Sequence, residues 1–289
     1  MIALVILNYR TYSDSYELIK SICSNGLREE VTIFLVDNDT NEKELSKLKR
    51  KIKDFELEVV FLPQKSNLGF SRGMNIGIDK ARGLGFDFIV CSNNDILITS
   101  NFSFKKMISP YNLDNNIAWI GPQIKNLSSE IQNPLYLLDP FGGEIKKRVI
   151  SNIFLNPIFG RPIFILRGLF KQYVMSFFLK SQHDNLATDR AIKTGEVYSL
   201  HGSFFALTPA YFSHYKNMDE NTFLYYEELI LSKRLERVNL RAYLNANIEV
   251  IHKEDSSTNL LLGKGTLRKS IFILKENYRS LVYYFKNYI

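Results

Sequence analysis

In the first hundred residues, three short apolar runs break off into asparagine and aspartate. Ala3 to Leu7 is followed by Asn8, Val31-Thr-Ile-Phe-Leu-Val36 by Asp37-Asn38, and Phe86-Asp-Phe-Ile-Val-Cys91 by Asn93-Asn94-Asp95. Short continuous runs rich in β-branched residues read as strands buried on both faces of a parallel sheet. Val59 to Leu62 is a further strand candidate, and the helix-like stretches Asp14–Ser24, Asn41–Lys53 and Arg72–Arg82 separate the runs. That alternation implies right-handed βαβ units in a twisted, mostly parallel sheet with helices on both faces. In open α/β sheets, ligands bind beyond the carboxyl ends of the strands. Three polar clusters at strand ends therefore predict one site assembled from loops distant in sequence.

The length, 289 residues, suits one large domain or a core domain with a modest appendage. The pattern divides the chain into an ordered half at 1–125, an irregular inserted segment at 126–196, a second ordered block at 197–260 and a basic tail at 261–289. Cys23 and Cys91 stand far apart in apolar surroundings, which reads as two small core residues in a reducing compartment and not as a disulfide framework. The opening MIALVILNYR has no basic residue before its apolar run, so it reads as a first strand and not as a signal peptide. No stretch reaches the ~18 apolar residues that would span a bilayer. The expected location is the cytoplasm.

The net charge is +7, and the excess is uneven. Between Ile145 and Lys180 stand Lys146, Lys147, Arg148, Arg161, Arg167, Lys171 and Lys180, with no acid among them and Phe154, Phe159, Phe164 and Phe170 interleaved. The tail from Leu267 to Ile289 has the same basic and aromatic mixture. Cationic, apolar segments bind anionic lipid surfaces, so a peripheral contact with the inner face of the membrane is one expectation. An acceptor subdomain packed on the core is the other. A nucleic-acid-binding protein is disfavoured: no RNA or DNA motif appears, and the basic residues cluster with aliphatics.

Several residues could carry chemistry. Asp37 can bind a ribose or a pyrimidine ring N–H, although Asp and Asn also make ordinary turns and caps. In Asn67-Leu-Gly-Phe-Ser-Arg-Gly-Met-Asn75, Gly69 and Gly73 allow close backbone approach, Arg72 can reach a phosphate, and Asn75 is read at the start of a helix whose N-terminus favours anions. Asp95, among the amides Asn93 and Asn94, suits a hard cation such as Mg2+ or Mn2+ that shares its site with phosphates. Tyr225-Tyr226-Glu227-Glu228, with Arg234 on the same helix, places adjacent carboxylates at a helix start, where each raises the other's pKa and favours a general base. Complementing the helix dipole is the ordinary alternative. His252 follows the strand-like Ile248-Glu-Val-Ile251, where a lone histidine is more often structural than ligating.

Taken in order, these motifs resemble the family 2 glycosyltransferases, particularly the rhamnosyltransferase-like members that build bacterial polysaccharides. The series runs through Val5-Ile-Leu-Asn-Tyr9, Val36-Asp-Asn38, Asn67 to Asn75, Asn93-Asn-Asp95, His201-Gly-Ser203, Asp219-Glu220, Phe223 to Glu228, Arg234 and His252. It spans residues 1–125 and 197–260. The resemblance implies a GT-A fold, a dTDP- or UDP-linked sugar donor, inversion at the anomeric carbon, and a glycan or lipid-linked acceptor in cell-surface polysaccharide synthesis. It further implies that Asn8, Tyr9, Asp37, Asn38, Asn67, Gly69, Arg72, Asn75, Asn93 and Asn94 serve the nucleotide and donor. Asp95 and His252 would hold Mg2+ or Mn2+, Glu228 would be the base supported by Glu227, and His201, Gly202, Tyr226 and Arg234 would serve the acceptor.

The chain departs from the family pattern in three places. Glu227-Glu228 stands where Glu-Asp is usual, Ile230 where a further Asp is frequent, and His201-Gly202-Ser203 where Gly-Gly-Ala lines often precede a small-residue motif. These changes bear on acceptor geometry more than on donor binding, and they leave open a degenerate transferase that only binds. A sugar-nucleotide nucleotidyltransferase is disfavoured, because it wants a Gly-rich basic loop after the first strand and Asn8-Tyr9-Arg10-Thr11 offers only Arg10.

Overall fold

The computed structural model describes residues 1–143, 153–156, 160–173, 193–254 and 267–289. Among the described residues the strands are β1 (Ile2–Asn8), β2 (Thr32–Asn38), β3 (Val59–Gln64), β4 (Phe88–Asn93), β5 (Ile96–Ile98), β6 (Ile117–Asn126), β7 (Gly195–Val197), β8 (Phe204–Leu207) and β9 (Arg241–His252). They form one sheet in the order β3-β2-β1-β4-β8-β6-β9-β5, with β7 also paired to β9. The helices are α1 (Tyr12–Ser24), α2 (Glu42–Ile52), α3 (Phe70–Gly83), α4 (Phe104–Ile108), α5 (Gly160–Tyr173), α6 (Pro209–His214), α7 (Glu227–Arg237) and α8 (Leu267–Tyr288).

β1 pairs in parallel with β2 on one side and β4 on the other, and β3 extends the parallel run. Parallel neighbours need a crossover, which α1, α2 and α3 supply. β1 and β2 are buried along almost their whole length, which explains their continuous apolar sequence. Leu18, Ile19 and Ile22 of α1 and Leu45 and Leu48 of α2 enter one core cluster with Leu4, Ile6 and Leu35. Met74, Ile78 and Ala81 of α3 enter the other, with Ala3, Val5 and Val36. Alternate residues of each strand thus feed opposite faces. α3 lies hard against β1: a Cβ on Gly77 would stand 2.3 Å from Val5 Cγ1.

Asn8, Asp37, Asn38 and Asn93 are the last residues of their strands, whereas Asn94 and Asp95 lie in the turn after β4. β2 runs on through Asp37 and Asn38, and β4 through Asn93, where the sequence reading stopped at Val36 and Cys91. Ladder pairing depends on backbone groups, so a polar side chain does not end it. Helix α3 starts at Phe70, capped by Gly69 at φ +83°, so Asn75 lies inside the helix and not at its start.

A third apolar cluster joins Leu229 and Ile230 of α7 to Leu281, Tyr284 and Phe285 of α8 and to Phe154. The basic tail therefore packs as a helix behind α7. Tyr283 and Tyr288 both donate to Asp219 Oδ2, at 2.9 and 2.5 Å, and Ser280 Oγ donates to Leu224 O at 2.7 Å. Cys23 and Cys91 are free thiols, and Cys91 is buried. Lys146, Lys147, Arg148, Phe159 and Lys180 lie outside the described residues. Among the described residues, no helix is long and apolar enough to cross a membrane.

Candidate active site

The carboxyl ends of β1, β2 and β4 meet in one buried hydrogen-bond network. Asn8 Nδ2 donates to Asp37 Oδ1 at 2.6 Å, and the Tyr12 hydroxyl donates to Asp37 Oδ2 at 2.8 Å. Asn94 Nδ2 donates to Asn8 Oδ1 at 2.9 Å and to Thr11 O at 2.8 Å. Asp37 is 0% exposed. Burial pushes its carboxyl up, against the bonds from Tyr12, Asn8 and Thr40. Asn8, Asp37 and Asn94 thus tie the ends of three strands together. Tyr9, Arg10 and Asp39 follow directly on these strand ends in the chain. The Arg10 guanidinium sits over the Tyr9 ring and meets Asp39 Oδ2 at 2.5 Å, with both residues of the ion pair at positive φ.

Asn38 ties β2 to the loop before α3. Its Nδ2 donates to Asn67 Oδ1 at 3.0 Å and to Gly69 O at 3.1 Å, and its Oδ1 accepts from Leu68 N at 2.8 Å. Beyond this loop, three residues reach the segment that leads into α7. Phe70 N donates to Phe223 O at 2.9 Å, Arg72 Nε to Glu220 O at 2.9 Å, and Asn75 Nδ2 to Met218 O at 3.0 Å. Arg72 and Asn75, expected at the donor, are joined here to the segment that leads into α7.

The Asn94-Asp95 turn separates β4 from β5, and β5 pairs with β9 so that Ile96 stands opposite His252. This register brings Asp95 Oδ1 to 3.3 Å from His252 Nε2. The contact lacks hydrogen-bond geometry, and Asp95 Oδ1 is a buried oxygen without a hydrogen-bond partner. The other nitrogen of His252, Nδ1, lies 2.9 Å from Gln132 Oε1. The His201 ring stands 5.5 Å from that of His252, and burial pushes its pKa down to about 4, helped by His252 beside it. Among the described residues, no three His, Cys, Asp or Glu side chains gather as a metal cage. Asp95 and His252 instead offer two ligands to a cation whose remaining ligands would be phosphate and water, as suits Mg2+ or Mn2+. The orphaned Asp95 oxygen fits that role.

Next to this pair opens a cavity of about 440 Å3, lined by Phe70, Asn93, Leu135, Tyr136, Phe141, His201, Gly202, Ser203, Leu224–Leu229 and Asn277. Its volume and mixed lining are those of a small-molecule site. Glu227 and Glu228 enter it as the first residues of α7, after two tyrosines at positive φ, Tyr225 and Tyr226. Strained backbone of this kind concentrates at functional sites. Burial pushes Glu227 up to about 8, and the charge of Glu228 adds to it. Burial raises Glu228 too, against the hydrogen bonds it receives from backbone N–H groups, that of Gly202 among them. Glu227 thus holds a proton near neutral pH, whereas Glu228 combines a raised pKa with backbone donors, the surroundings that suit a general base.

The structure brings Asn93, His201, Gly202, Tyr226, Glu227 and Glu228 to one cavity, with Asp95 and His252 adjoining it. It does not bring Arg234 there. That guanidinium donates to Asn217 O at 2.8 Å and stacks over Tyr215, behind α7. Residues the motifs did not single out also line the wall: Phe70, Leu135, Tyr136, Phe141 and Asn277. The 132–141 segment is held by Asn133, which accepts from His201 N at 3.0 Å, and by the Lys233–Asp139 ion pair at 3.0 Å. No periodicity marks that segment, and Asn277 belongs to a helix whose docking site only the fold reveals.

Residues 3–173, more than half of the chain, match the sequence profile of Glycosyl transferase family 2. Glu227, Glu228 and His252 lie beyond the matched stretch, so their place in the site rests on geometry. No curated protein matches the chain. Among solved structures, GalNAc-T7 with UDP, GalNAc and Mn2+ is similar with a TM-score of 0.60 at 14% identity, over 92% of this chain and 44% of that one. S. aureus TarS is similar with a TM-score of 0.54 at 11% identity, over 87% of this chain and 36% of that one. A shorter TarS structure, residues 1–349 with UDP, gives a TM-score of 0.52 at 11% identity, over 90% of this chain and 62% of that one. The chain thus spans less than half the length of the first two proteins, and at these identities the likeness shows a shared GT-A fold.

Proposed function

The chain belongs to glycosyl transferase family 2, and from that premise we propose that it moves a sugar from a nucleoside diphosphate to a hydroxyl held in the Glu228 cavity, with inversion. The observation that supports this most is the gathering of Asp95, His252 and Glu228 around one cavity edge. Asp95 adjoins His252, whose ring faces His201, and His201 is followed by Gly202, which contacts Glu228.

Tyr9, Arg10 and the 67–70 loop would receive the nucleotide over the Asn8–Asp37–Asn94 base. Asp95 Oδ1 and His252 Nε2 would hold Mg2+ or Mn2+, which supplies neutralising charge to a departing diphosphate. Glu228 accepts the proton of the acceptor hydroxyl as its oxygen bonds to the anomeric carbon. The bond from that carbon to the phosphate oxygen breaks, and its electron pair leaves with the nucleoside diphosphate. Glu227, buried beneath, keeps Glu228 in place through the start of α7.

The donor is a UDP- or dTDP-linked sugar, rhamnose included. The acceptor is a glycan or lipid-linked glycan, for which Tyr136, Phe141 and Tyr226 provide an aromatic wall. Peripheral membrane contact is supported by Leu137 and Leu138, 67% and 81% exposed, which directly follow two residues of the cavity wall. Exposed Ile163 and Leu166 of α5 accompany the exposed Arg161. Apolar side chains beside cations are the surface an anionic interface binds.

A thermal-shift screen of sugar nucleotides with and without Mn2+ tests the proposal, since a ligand that binds only the folded state raises the melting temperature. A shift with a UDP- or dTDP-sugar that grows with Mn2+ is expected. A shift with generic RNA and none with any sugar nucleotide would overturn it.

A further inference from the structure

We propose that Gln132 is a positioning residue that selects the tautomer of His252 and so leaves a lone pair on the ring nitrogen beside Asp95. The consequence for metal binding rests on the function proposed above; the tautomer itself does not.

Backbone pairing sets the arrangement. After β6 the chain folds back on itself, with Asn126 N donating to Glu130 O at 3.0 Å and Gln132 N to Ile124 O at 2.9 Å. β6 lies beside β9 with Asn126 opposite His252, so the returning segment carries Gln132 to the same edge. The amide of Gln132 then bridges two side chains. Its Nε2 donates to Glu254 Oε1, and its Oε1 lies 2.9 Å from His252 Nδ1.

The direction of each bond follows from what each atom can do. A carboxylate oxygen accepts, so the NH2 end of the amide faces Glu254 and the carbonyl end faces the histidine. A carbonyl oxygen also only accepts, so the hydrogen between Gln132 and His252 sits on Nδ1. Nε2 is left with its lone pair, 3.3 Å from Asp95 Oδ1, and that oxygen is itself buried without a hydrogen-bond partner. Two acceptors at this distance, with the lone pair not aimed along the line between them, can share a cation that lies off that line.

The neighbouring histidine shows the selection is local. His201, 5.5 Å away ring to ring, has Nδ1 accepting from Ser203 N–H at 3.2 Å, so its hydrogen sits on Nε2. Two adjacent rings of the same chemistry thus carry opposite tautomers, each set by the partner at Nδ1. A ligating histidine whose far nitrogen is hydrogen-bonded is oriented and made more basic, and loss of such a partner typically weakens metal binding by about 10–100-fold.

The test uses the full chain labelled with 15N-histidine and stripped of metal, at neutral pH. Long-range 1H–15N correlations, with the His252 signals assigned through His252→Ala, should show a protonated Nδ1 and an unprotonated Nε2. In Gln132→Leu that preference should vanish, and the dissociation constant for Mn2+ should rise about 10–100-fold. Gln132→Glu combined with Glu254→Gln, whose amide then donates to the new carboxylate, keeps an acceptor beside Nδ1 and should restore both readings. An Nε2–H tautomer in the unsubstituted protein, or an unchanged Nδ1–H preference in Gln132→Leu, would overturn the proposal. A protein that shows the Nδ1–H tautomer yet binds no Mn2+ upholds the positioning role and contradicts the proposed metal site.

Discussion

A carboxylate oxygen of Glu228 stands where a side chain on residue 202 would have to be: a Cβ built on Gly202 falls 2.5 Å from Glu228 Oε1. Glycine at 202 thus brings the loop between β7 and β8 against the proposed base and lets the Gly202 N–H bond to it. Gly202→Ala should displace the carboxylate. Misplacing a catalytic group by about 1 Å can cost about 100-fold in rate, and a fall of that order in kcat is expected with little change in donor binding. Steady-state kinetics on the two proteins checks it; an unchanged kcat would mean that the carboxylate has room to spare.

Glu227 gives a pH signature of stability. Its pKa is pushed from an ordinary 4.5 to about 8, so the folded state keeps a proton that the unfolded chain releases. Stability therefore falls as pH rises from about 4.5 to about 8 and levels off above that. Glu227→Gln removes this loss, and its advantage over the unsubstituted protein should grow across the window. By pH 8 it should reach at least about 3 °C in melting temperature, what ~1 kcal/mol is worth in a large domain. Equal pH slopes for both proteins would contradict the assignment.

Gly69 couples the loop before α3 to the segment that leads into α7. It lies at φ +83°, and a Cβ there would meet Phe223 O at 2.4 Å. Gly69→Ala should cost about 2 kcal/mol or more, from left-handed backbone strain and the lost Phe70–Phe223 bond. Urea unfolding measures it. A variant as stable as the parent would show that the two loops are not joined as described.

The exposed Leu137, Leu138, Ile163 and Leu166 make membrane contact testable by flotation. Vesicles rich in anionic lipid should carry the protein upward, neutral vesicles much less, and salt should release it. Protein left at the bottom of the gradient with anionic vesicles would end the membrane reading.

The sheet was legible where apolar runs were continuous, because strands buried on both faces leave that imprint whatever their neighbours. Their ends were not, since Asp37, Asn38 and Asn93 remain within the ladder despite polar side chains. The sequence singled out Asp95, His252, Glu227 and Glu228 as candidates because each stands at the end or the start of an element, and the fold sets Asp95 beside His252 and both glutamates in one cavity. Asn38 and Asn75 were read as donor ligands, whereas their amides are engaged in joining loops; hydrogen-bond partners do not show in a linear pattern. Tyr136, Phe141 and Asn277 escaped notice because only docking of the 132–141 segment and α8 against α7 brings them to the cavity.

The central claim is that Glu228 accepts a proton in sugar transfer while the donor binds elsewhere in the same site. Release of nucleoside diphosphate from UDP- and dTDP-sugars by Glu228→Gln, measured beside the Mn2+-dependent affinity of UDP and dTDP, tests it most directly. A general base contributes about 100- to 10,000-fold, so turnover should fall by at least about 100-fold with nucleotide affinity retained. Turnover equal to that of the unsubstituted protein would contradict it.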